Sequence, residues 1–342
     1  MGSLTMIIVM HQDATADEVT LVVDRLKTLG ADVQVTTEAG QAVVSGTTES
    51  LLAEQGPWKD LPGVERVVPA IPGGRKVGRQ FKSIDTVVRV GDVDIGDGSM
   101  TVVAGPCAVE SRDQLLTTAL AVKAAGAQIL RGDAFKPRTS TYSFQGLGKP
   151  ALEMLAEARD VTGLPFVAEV LDPRDVEMVS NYADMVRIGT RNMSNQALLR
   201  EVGKQSKPVQ LKRGRAATVE EWIDAGEYVS AAGNGQIVMV ERGIRGFDPV
   251  ARNTLDLTAV AIVKMQTHLP VMVDPSHASG RSDLVAPLAR AAVAAGADGL
   301  MLDVHPDPSV ALVDGPQALL PSEFAQLMTE VAAIAAALKR SV

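Results

Sequence analysis

Two groups of reactive side chains stand out because their members follow short apolar runs in the sequence. The first group is cationic and consists of Arg131, Lys136, Arg138, Arg191, Lys212 and Arg242. The second group offers a thiol, an imidazole and two carboxylates, from Cys107, His277, Asp303 and Asp314. Guanidinium and ammonium groups bind phosphates and carboxylates, and mixed sulfur, nitrogen and oxygen donors suit a divalent transition metal. The residue types therefore predict an anion-binding cavity beside a site for Mn, Co, Fe or Zn.

Each of these residues has a simpler explanation when it is taken singly. An isolated arginine at a strand end is usually a solvated charge of little energetic value. A lone cysteine such as Cys107 is usually a small buried apolar residue, and His277 could be structural. Six cations at equivalent points of a repeating pattern favour a common site over six unrelated surface charges.

The elements that position these residues form that repeating pattern. Eight apolar, β-rich runs alternate with helical patterns, over residues 101–104, 128–130, 165–168, 185–188, 208–211, 236–240, 270–273 and 299–302. Eight strands that alternate with helices predict an α/β fold, a (β/α)8 TIM barrel. The residues that follow the strands meet at one face of such a barrel. A doubly wound sheet is disfavoured because no GxGxxG motif follows a strand.

A smaller domain precedes the barrel. Residues 5–10, 31–36, 42–45 and 64–71 resemble strands, and helices are expected over 14–29 and 48–55. The order β-α-β-β-α-β is the ferredoxin-like arrangement. We therefore expect a ferredoxin-like domain over 1–75, a linker and hairpin over 76–100, and the barrel over 101–342.

Composition excludes several classes of protein. With 342 residues, 46% apolar and 22% charged, the chain is neither disordered nor fibrous. Its apolar runs are far shorter than the roughly 20 residues of a membrane span, and no secretory signal is expected. A net charge of −8 and 3% aromatic residues disfavour nucleic-acid binding. A single cysteine excludes an intramolecular disulfide and suits a cytoplasmic location.

The segments that carry the reactive residues resemble one enzyme family. The family is 3-deoxy-D-arabino-heptulosonate 7-phosphate (DAHP) synthase, in its type I branch with an N-terminal ferredoxin-like regulatory domain. The matching segments are GPCAVES (105–111), KPRTS (136–140) in the loop 131–148, IGTRN (188–192), LKRG (211–214), ERGIR (241–245), RNTLDL (252–257), DPSH (274–277) and the run from HPDP to Gln (305–317). Related synthases that act on arabinose 5-phosphate usually carry a different motif at KPRTS, so this loop favours erythrose 4-phosphate.

The resemblance implies a metal-dependent condensation of phosphoenolpyruvate with erythrose 4-phosphate, which gives DAHP and phosphate in the first step of the shikimate pathway to aromatic amino acids. The implied ligands of phosphoenolpyruvate are Arg131, Lys136, Arg191, Lys212 and Arg242. Arg138 and Thr139 would hold the sugar phosphate, and the metal ligands would be Cys107, His277, Asp303 and Asp314. Candidates for the proton transfers are Lys136, Glu169 and His305. The resemblance also implies a homotetramer and an aromatic amino acid effector at the N-terminal domain, although that domain could serve assembly alone.

Five departures from the family pattern fall around these residues. They are Asp303 in place of the usual Glu, Asp133 in place of Gly, Thr141 in place of Pro, Arg215-Ala-Ala217 in place of Met-Gly-Asn, and Ala278-Ser279 in place of Pro-Ala. Two alternatives therefore stay open. The chain could be a paralogue that condenses phosphoenolpyruvate with a different aldehyde in secondary metabolism, or a catalytically silent regulatory homologue.

Overall fold

The computed structural model describes residues 4–38, 40–48, 58–68, 75–138 and 140–342. The chain divides into two compact units, Met1–Ser83 and Ile84–Val342. The predicted boundaries at residues 75 and 100 stay predictions, since the units divide between Ser83 and Ile84 and the predicted hairpin lies in the second unit.

The first unit contains an antiparallel sheet and, among its described residues, one α-helix. Its elements are β1 (Leu4–Met10), α1 (Ala16–Thr28), β2 (Asp32–Glu38), β3 (Gln41–Thr48) and β4 (Val64–Val68), and the strands lie in the order β2-β3-β1-β4. Helix α1 begins at Thr15, whose side chain forms a capping box with Glu18. Its Val22 and Leu26 pack on the sheet in one buried cluster.

Two predictions for this unit need correction or lie outside the described residues. Strand β3 is longer than the predicted 42–45, because it pairs with β2 along its length, from Asp32 opposite Thr47 to Glu38 opposite Gln41. Thr48 therefore ends a strand and does not begin the helix predicted over 48–55. The rest of that predicted helix lies outside the described residues.

The second unit is a closed barrel of eight parallel strands, as predicted. A hairpin of β5 (Val88–Val90) and β6 (Val93–Ile95) precedes it. The barrel strands are β7 (Thr101–Gly105), β8 (Ile129–Arg131), β9 (Phe166–Val170), β10 (Met185–Ile188), β11 (Val209–Lys212), β12 (Ile237–Glu241), β13 (Val271–Val273) and β14 (Gly299–Asp303). The helices between and after them are α2 (Arg112–Ala124), α3 (Lys149–Thr162), α4 (Val176–Tyr182), α5 (Gln196–Gly203), α6 (Val219–Ala231), α7 (Leu257–Gln266), α8 (Pro275–Ser279), α9 (Ser282–Ala294) and α10 (Pro321–Ala337).

The hairpin closes the end of the barrel at which the strands begin. Val88, Val90 and Ile95 are fully buried and share one apolar cluster with Ile129 and Met185, the first residues of β8 and β10. The apolar interior is therefore covered at that end. The opposite end, where the strands finish, is left for polar loops.

No helix in the described part of the chain combines the length and the apolar character that a membrane crossing requires.

Candidate active site

A cavity of about 270 Å³ lies among the loops that follow the barrel strands. Among the described residues, its lining includes the cations Lys136, Arg138, Arg191, Lys212, Arg215, Arg242 and Arg252. The acidic lining residues are Asp133, Glu169 and Asp314, and His277 also contributes. Cations outnumber carboxylates by seven to three in this lining. The cavity is thus suited to a small ligand that carries several negative charges.

The buried guanidinium of Arg242 has two nitrogen atoms without a hydrogen-bond partner in the described part of the chain. Arg242 is 3% exposed and donates from Nη2 to the carbonyl oxygen of His277 at 3.0 Å. Its Nε and Nη1 have no hydrogen-bond partner among the described residues. Burial lowers the pKa of Arg242 to about 10, so the guanidinium stays charged at neutral pH. A buried donor without a partner is costly, and an anion in the cavity would satisfy these two nitrogens.

Lys212 lies beside Arg242 at the end of β11. Its Nζ is 2.6 Å from Oδ2 of Asp274. Burial lowers the pKa of Lys212 to about 8, although the Asp274 carboxylate opposes that shift. The nearby guanidinium groups of Arg187, Arg131 and Arg242 lower this pKa further. An anionic ligand would reverse this repulsion and hold the ammonium charged.

A second group of arginines lies toward solvent, and sequence reasoning missed part of it. Partial burial lowers the pKa of Arg215, and the charges of Arg191, Arg245 and Arg252 lower it further. Arg252 also contacts Oδ1 of Asp314 at 3.5 Å. In the sequence, Arg215 is a departure from the family pattern and Arg252 belongs to the RNTLDL segment. Neither residue comes directly after its strand, so a search for charged residues at strand ends does not select them.

Three of the four predicted metal ligands come together beneath this cavity. One donor atom each from Cys107, His277 and Asp303 lies within 4.8 Å of the others. Cys107 follows β7, His277 lies in the short helix α8, and Asp303 is the last residue of β14. Asp314 approaches from a loop, with its Oδ2 3.3 Å from Sγ of Cys107 and 3.6 Å from Nε2 of His277.

Backbone geometry and hydrogen bonds prepare these donors. Asp314 has a left-handed conformation with φ 53° and ψ 31°, which is unfavourable for a residue with a Cβ and typical of functional positions. The Nδ1 atom of His277 lies 2.9 Å from Oδ2 of Asp274. Burial holds the pKa of His277 well below its usual value, although the Asp274 carboxylate opposes this shift. A neutral imidazole that donates from Nδ1 presents the lone pair of Nε2 to a metal.

The shorter side chain of Asp303 still reaches this group of donors. Its carboxylate forms an ion pair with Arg131 and accepts a hydrogen bond from Nε2 of Gln317. Its Oδ2 lies 3.5 Å from Nδ1 of His277. Sulfur, nitrogen and oxygen donors at these positions fit a divalent transition metal.

Comparison with known sequences and structures agrees with this geometry. The sequence profile of the DAHP synthetase I family matches residues 79–339. The chain belongs to this family. A second profile, described as a DAHP synthase ferredoxin-like domain, matches residues 6–70, so the predicted family, its N-terminal domain type and the enzyme class are confirmed.

Relatives of known name cover from 74% of this chain to nearly all of it. Phospho-2-dehydro-3-deoxyheptonate aldolase of Thermotoga maritima is 43% identical over 97% of this chain and 98% of its own length. A crystal structure of a DAHP synthase from the same organism superposes with a TM-score of 0.79, at 41% identity and 99% coverage of both chains. The 2-dehydro-3-deoxyphosphooctonate aldolase of Syntrophotalea carbinolica is 30% identical over 74% of this chain and 97% of its own.

Four residues that the family resemblance suggested occupy different kinds of position. Glu169 lines the cavity, and burial raises its pKa, as does the charge of Asp133. Arg131 is fully buried and does not belong to the described cavity lining, because Asp303, the carbonyl of Cys107 and Asp133 surround its guanidinium. His305 is also outside that lining, with Nε2 3.4 Å from Oε2 of Glu110. Thr139 lies outside the described residues.

Asp133 is the departure from the family pattern that lies deepest in the cavity. Its carboxylate forms ion pairs with Arg187 and with Nζ of Lys136, the latter at 2.7 Å. The charges of Arg187, Lys136 and Arg131 overcome the effect of burial and lower the pKa of Asp133 far below its usual value. Sequence reasoning missed Arg187, and the signal available was a charged residue inside the apolar run 185–188.

Proposed function

We propose that this enzyme condenses phosphoenolpyruvate with erythrose 4-phosphate to give DAHP and inorganic phosphate, the first step of the shikimate pathway to aromatic amino acids. The observation that carries the proposal is the cationic cavity directly beside the donors Cys107, His277 and Asp303. Phosphoenolpyruvate carries a phosphate and a carboxylate, and the sugar carries a second phosphate. Two such anions repel each other in water, and a cavity with excess positive charge offsets that repulsion while it orients them.

The cations divide into an inner and an outer set. Arg242, Lys212 and Lys136 are buried and suit phosphoenolpyruvate, whose phosphate Arg191 would also reach. Arg138 is less buried and suits the phosphate of the sugar, with Thr139 beside it in sequence. Arg131 supports this arrangement from below, through Asp303 and the Cys107 carbonyl.

A divalent ion held by Cys107, His277, Asp303 and Asp314 would supply a Lewis acid for the aldehyde oxygen. The residues of the chain hold the methylene carbon of phosphoenolpyruvate against the aldehyde carbon, where the new carbon–carbon bond forms. Water adds to the second carbon, and phosphate leaves. Of the two protons of that water, one goes to the aldehyde oxygen and one leaves with the phosphate. Lys136 and Glu169 line the cavity and are the proposed proton carriers, and His305 would act only from the cavity's edge.

The N-terminal unit is proposed as a regulatory domain that binds an aromatic amino acid. This proposal rests on the match of residues 6–70 to the ferredoxin-like domain of DAHP synthases. A homotetramer and a cytoplasmic location stay predictions. Deletion of residues 1–75 tests the regulatory role, since sensitivity to tyrosine or phenylalanine that survives the deletion would contradict it.

A different aldehyde is the second candidate, because two departures from the family pattern line the cavity. Asp133 adds a negative charge to it and Arg215 a positive charge. A silent regulatory homologue is less well supported, because donor atoms of Cys107, His277 and Asp303 lie within 4.8 Å of one another beside a cavity lined by cations.

The deciding experiment measures phosphate release from phosphoenolpyruvate in chelator-treated protein, with Mn, Co, Fe or Zn added back one at a time. Erythrose 4-phosphate, arabinose 5-phosphate and other aldoses are compared as second substrates. Metal-restored turnover that is specific for erythrose 4-phosphate supports the proposal. Turnover with another aldose favours the paralogue, and a folded, metal-loaded protein without turnover favours the regulatory homologue.

A further inference from the structure

Asp133 joins three neighbouring strands at the floor of the cavity. The residue follows β8, and its Oδ1 accepts a hydrogen bond from the backbone N of Glu169, in β9, at 3.3 Å. The same carboxylate forms an ion pair with Arg187 in β10. Asp133 is 1% exposed, so these contacts form away from bulk water. A surface charge would gain little from such contacts, whereas a buried carboxylate depends on them.

Arg187 is the counter-charge from inside the barrel. Its side chain is fully buried, its Nη2 pairs with Asp133, and its Nη1 lies 3.5 Å from the sulfur of Met301. Its Nε has no hydrogen-bond partner among the described residues. In the described part of the chain, Asp133 is the one carboxylate within ion-pair distance of Arg187. Removal of Asp133 alone therefore leaves Arg187 as an uncompensated buried charge, whereas removal of Arg187 leaves Asp133 with Lys136 and Arg131.

The second oxygen of Asp133 holds Lys136. The Lys136 ammonium lies 2.7 Å from Oδ2 of Asp133, 3.1 Å from the carbonyl oxygen of Cys107 and 3.2 Å from its Sγ. Asp133 is the one described carboxylate that pairs with this ammonium. The three contacts fix Nζ between the thiol and the cavity. Lys136 is free to rotate about four carbon–carbon bonds, so a fixed anion determines where its charge is found.

We propose that Asp133, held in place by Arg187, is a positioning residue that sets the ammonium of Lys136 against Cys107 and the reacting groups. The inference rests on the proposed function, in which Lys136 binds phosphoenolpyruvate and carries a proton. Arg187 supplies the charge that lets Asp133 stay ionised at the bottom of a cationic cavity. The Asp133 carboxylate thus positions the Lys136 ammonium, and the Arg187 guanidinium stabilises the Asp133 carboxylate.

The test separates positioning from stability with one double variant. Asp133→Asn keeps the shape of the side chain but removes its charge. We expect kcat to fall by about tenfold or more, because small displacements of a catalytic group have effects of that size, while KM for phosphoenolpyruvate changes by less than about threefold. The melting temperature falls by about 5 °C, because Arg187 is left without its counter-charge.

Asp133→Asn combined with Arg187→Gln removes both charges together. The melting temperature should recover to within about 2 °C of the wild type, whereas kcat should stay low because Lys136 still lacks its carboxylate. Asp298→Asn is the matched control, since Asp298 is a buried carboxylate that pairs with Lys264 at the start of β14, far from the cavity lining. It should lower the melting temperature and leave kcat unchanged. If kcat of the double variant recovers together with its melting temperature, the pair is only structural and the proposal is overturned.

A binding cycle keeps the inference testable if no aldehyde is turned over. Calorimetric titration with phosphoenolpyruvate is carried out on the wild type, Asp133→Asn, Lys136→Met and the combined variant, all with the same metal. Positioning by Asp133 makes the effect of Lys136→Met on Kd at least about fivefold smaller in the Asp133→Asn background. Additive effects would overturn the inference, whereas absence of turnover in the wild type overturns only the proposed reaction.

Discussion

Replacement of Arg242 should stabilise the ligand-free protein and weaken its binding of phosphoenolpyruvate, and the two effects can be measured separately. Its pKa is lowered from 12.5 to about 10 by burial, which corresponds to a cost of about 3 kcal/mol for carrying the charge in the ligand-free protein. The Arg242→Met variant removes this cost. It also removes the hydrogen bond to the carbonyl of His277, worth about 1 kcal/mol, but that carbonyl keeps the amide of Asn253 as a donor at 3.2 Å. The free energy of unfolding should therefore rise by about 1–2 kcal/mol.

Binding should change in the opposite direction. Two nitrogens of Arg242 lack hydrogen-bond partners among the residues that the structure describes, and each charged hydrogen bond that an anionic ligand makes to them is worth about 1.5–3 kcal/mol. The Arg242→Met variant should weaken binding of phosphoenolpyruvate by at least about tenfold. Urea unfolding of the metal-free, ligand-free protein measures the first effect, and calorimetric titration with phosphoenolpyruvate measures the second.

Arg213 provides the matched control because it is buried nearby with its partners in place. Its Nη1 lies 2.9 Å from both Glu241 and Asp256. Arg213→Met should therefore destabilise the protein, since it leaves the buried Glu241 carboxylate unpaired. If Arg242→Met destabilises the protein as much as Arg213→Met does, the reasoning from unpartnered nitrogens is wrong.

Three further predictions concern charge and metal binding. Burial lowers the pKa of Lys212 to about 8, so affinity for phosphoenolpyruvate should be high below pH 8 and decline as the pH rises through 8. The Lys212→Arg variant should remove this decline in a calorimetric titration. An unchanged pH profile in this variant would contradict the assignment. Asp274→Asn should lower the affinity for Co²⁺ about 10- to 100-fold in equilibrium dialysis, because Asp274 orients His277, and Asp298→Asn, if equally impaired, would show the effect to be non-specific. Arg215→Met should raise KM for a phosphorylated substrate about threefold to tenfold and flatten its dependence on salt, whereas Arg200→Met on the outer helix α5 should do neither.

The sequence was sufficient to predict that Cys107, His277 and Asp303 lie close together, because the strands of a barrel all end at one face. Cys107, His277 and Asp303 are up to 196 positions apart in sequence (303 − 107), yet each follows or ends a strand, and all strands of a barrel finish at the same face. The same rule selected Lys136, Lys212 and Arg242. It needs only the strand count and the strand ends.

The positions of the strand ends do not predict whether a side chain from the following loop lines the cavity or lies beneath it. The guanidinium of Arg131 pairs with Asp303 outside the described cavity lining, and its role as a ligand of phosphoenolpyruvate stays a prediction. The sequence pattern does not single out Arg187, because its neighbours Val186 and Ile188 are typical of an ordinary buried strand. Which of two adjacent cations faces a ligand depends on side-chain directions and on pairings between distant loops, and neither follows from periodicity.

Because of the hairpin of β5 and β6, the barrel does not depend on the preceding residues to cover its apolar interior. The hairpin belongs to the same compact unit as the barrel, so the barrel unit itself supplies the residues that cover its interior where the strands begin. We therefore expect the unit Ile84–Val342 to keep its apolar interior covered when the chain is cut at the Ser83–Ile84 junction.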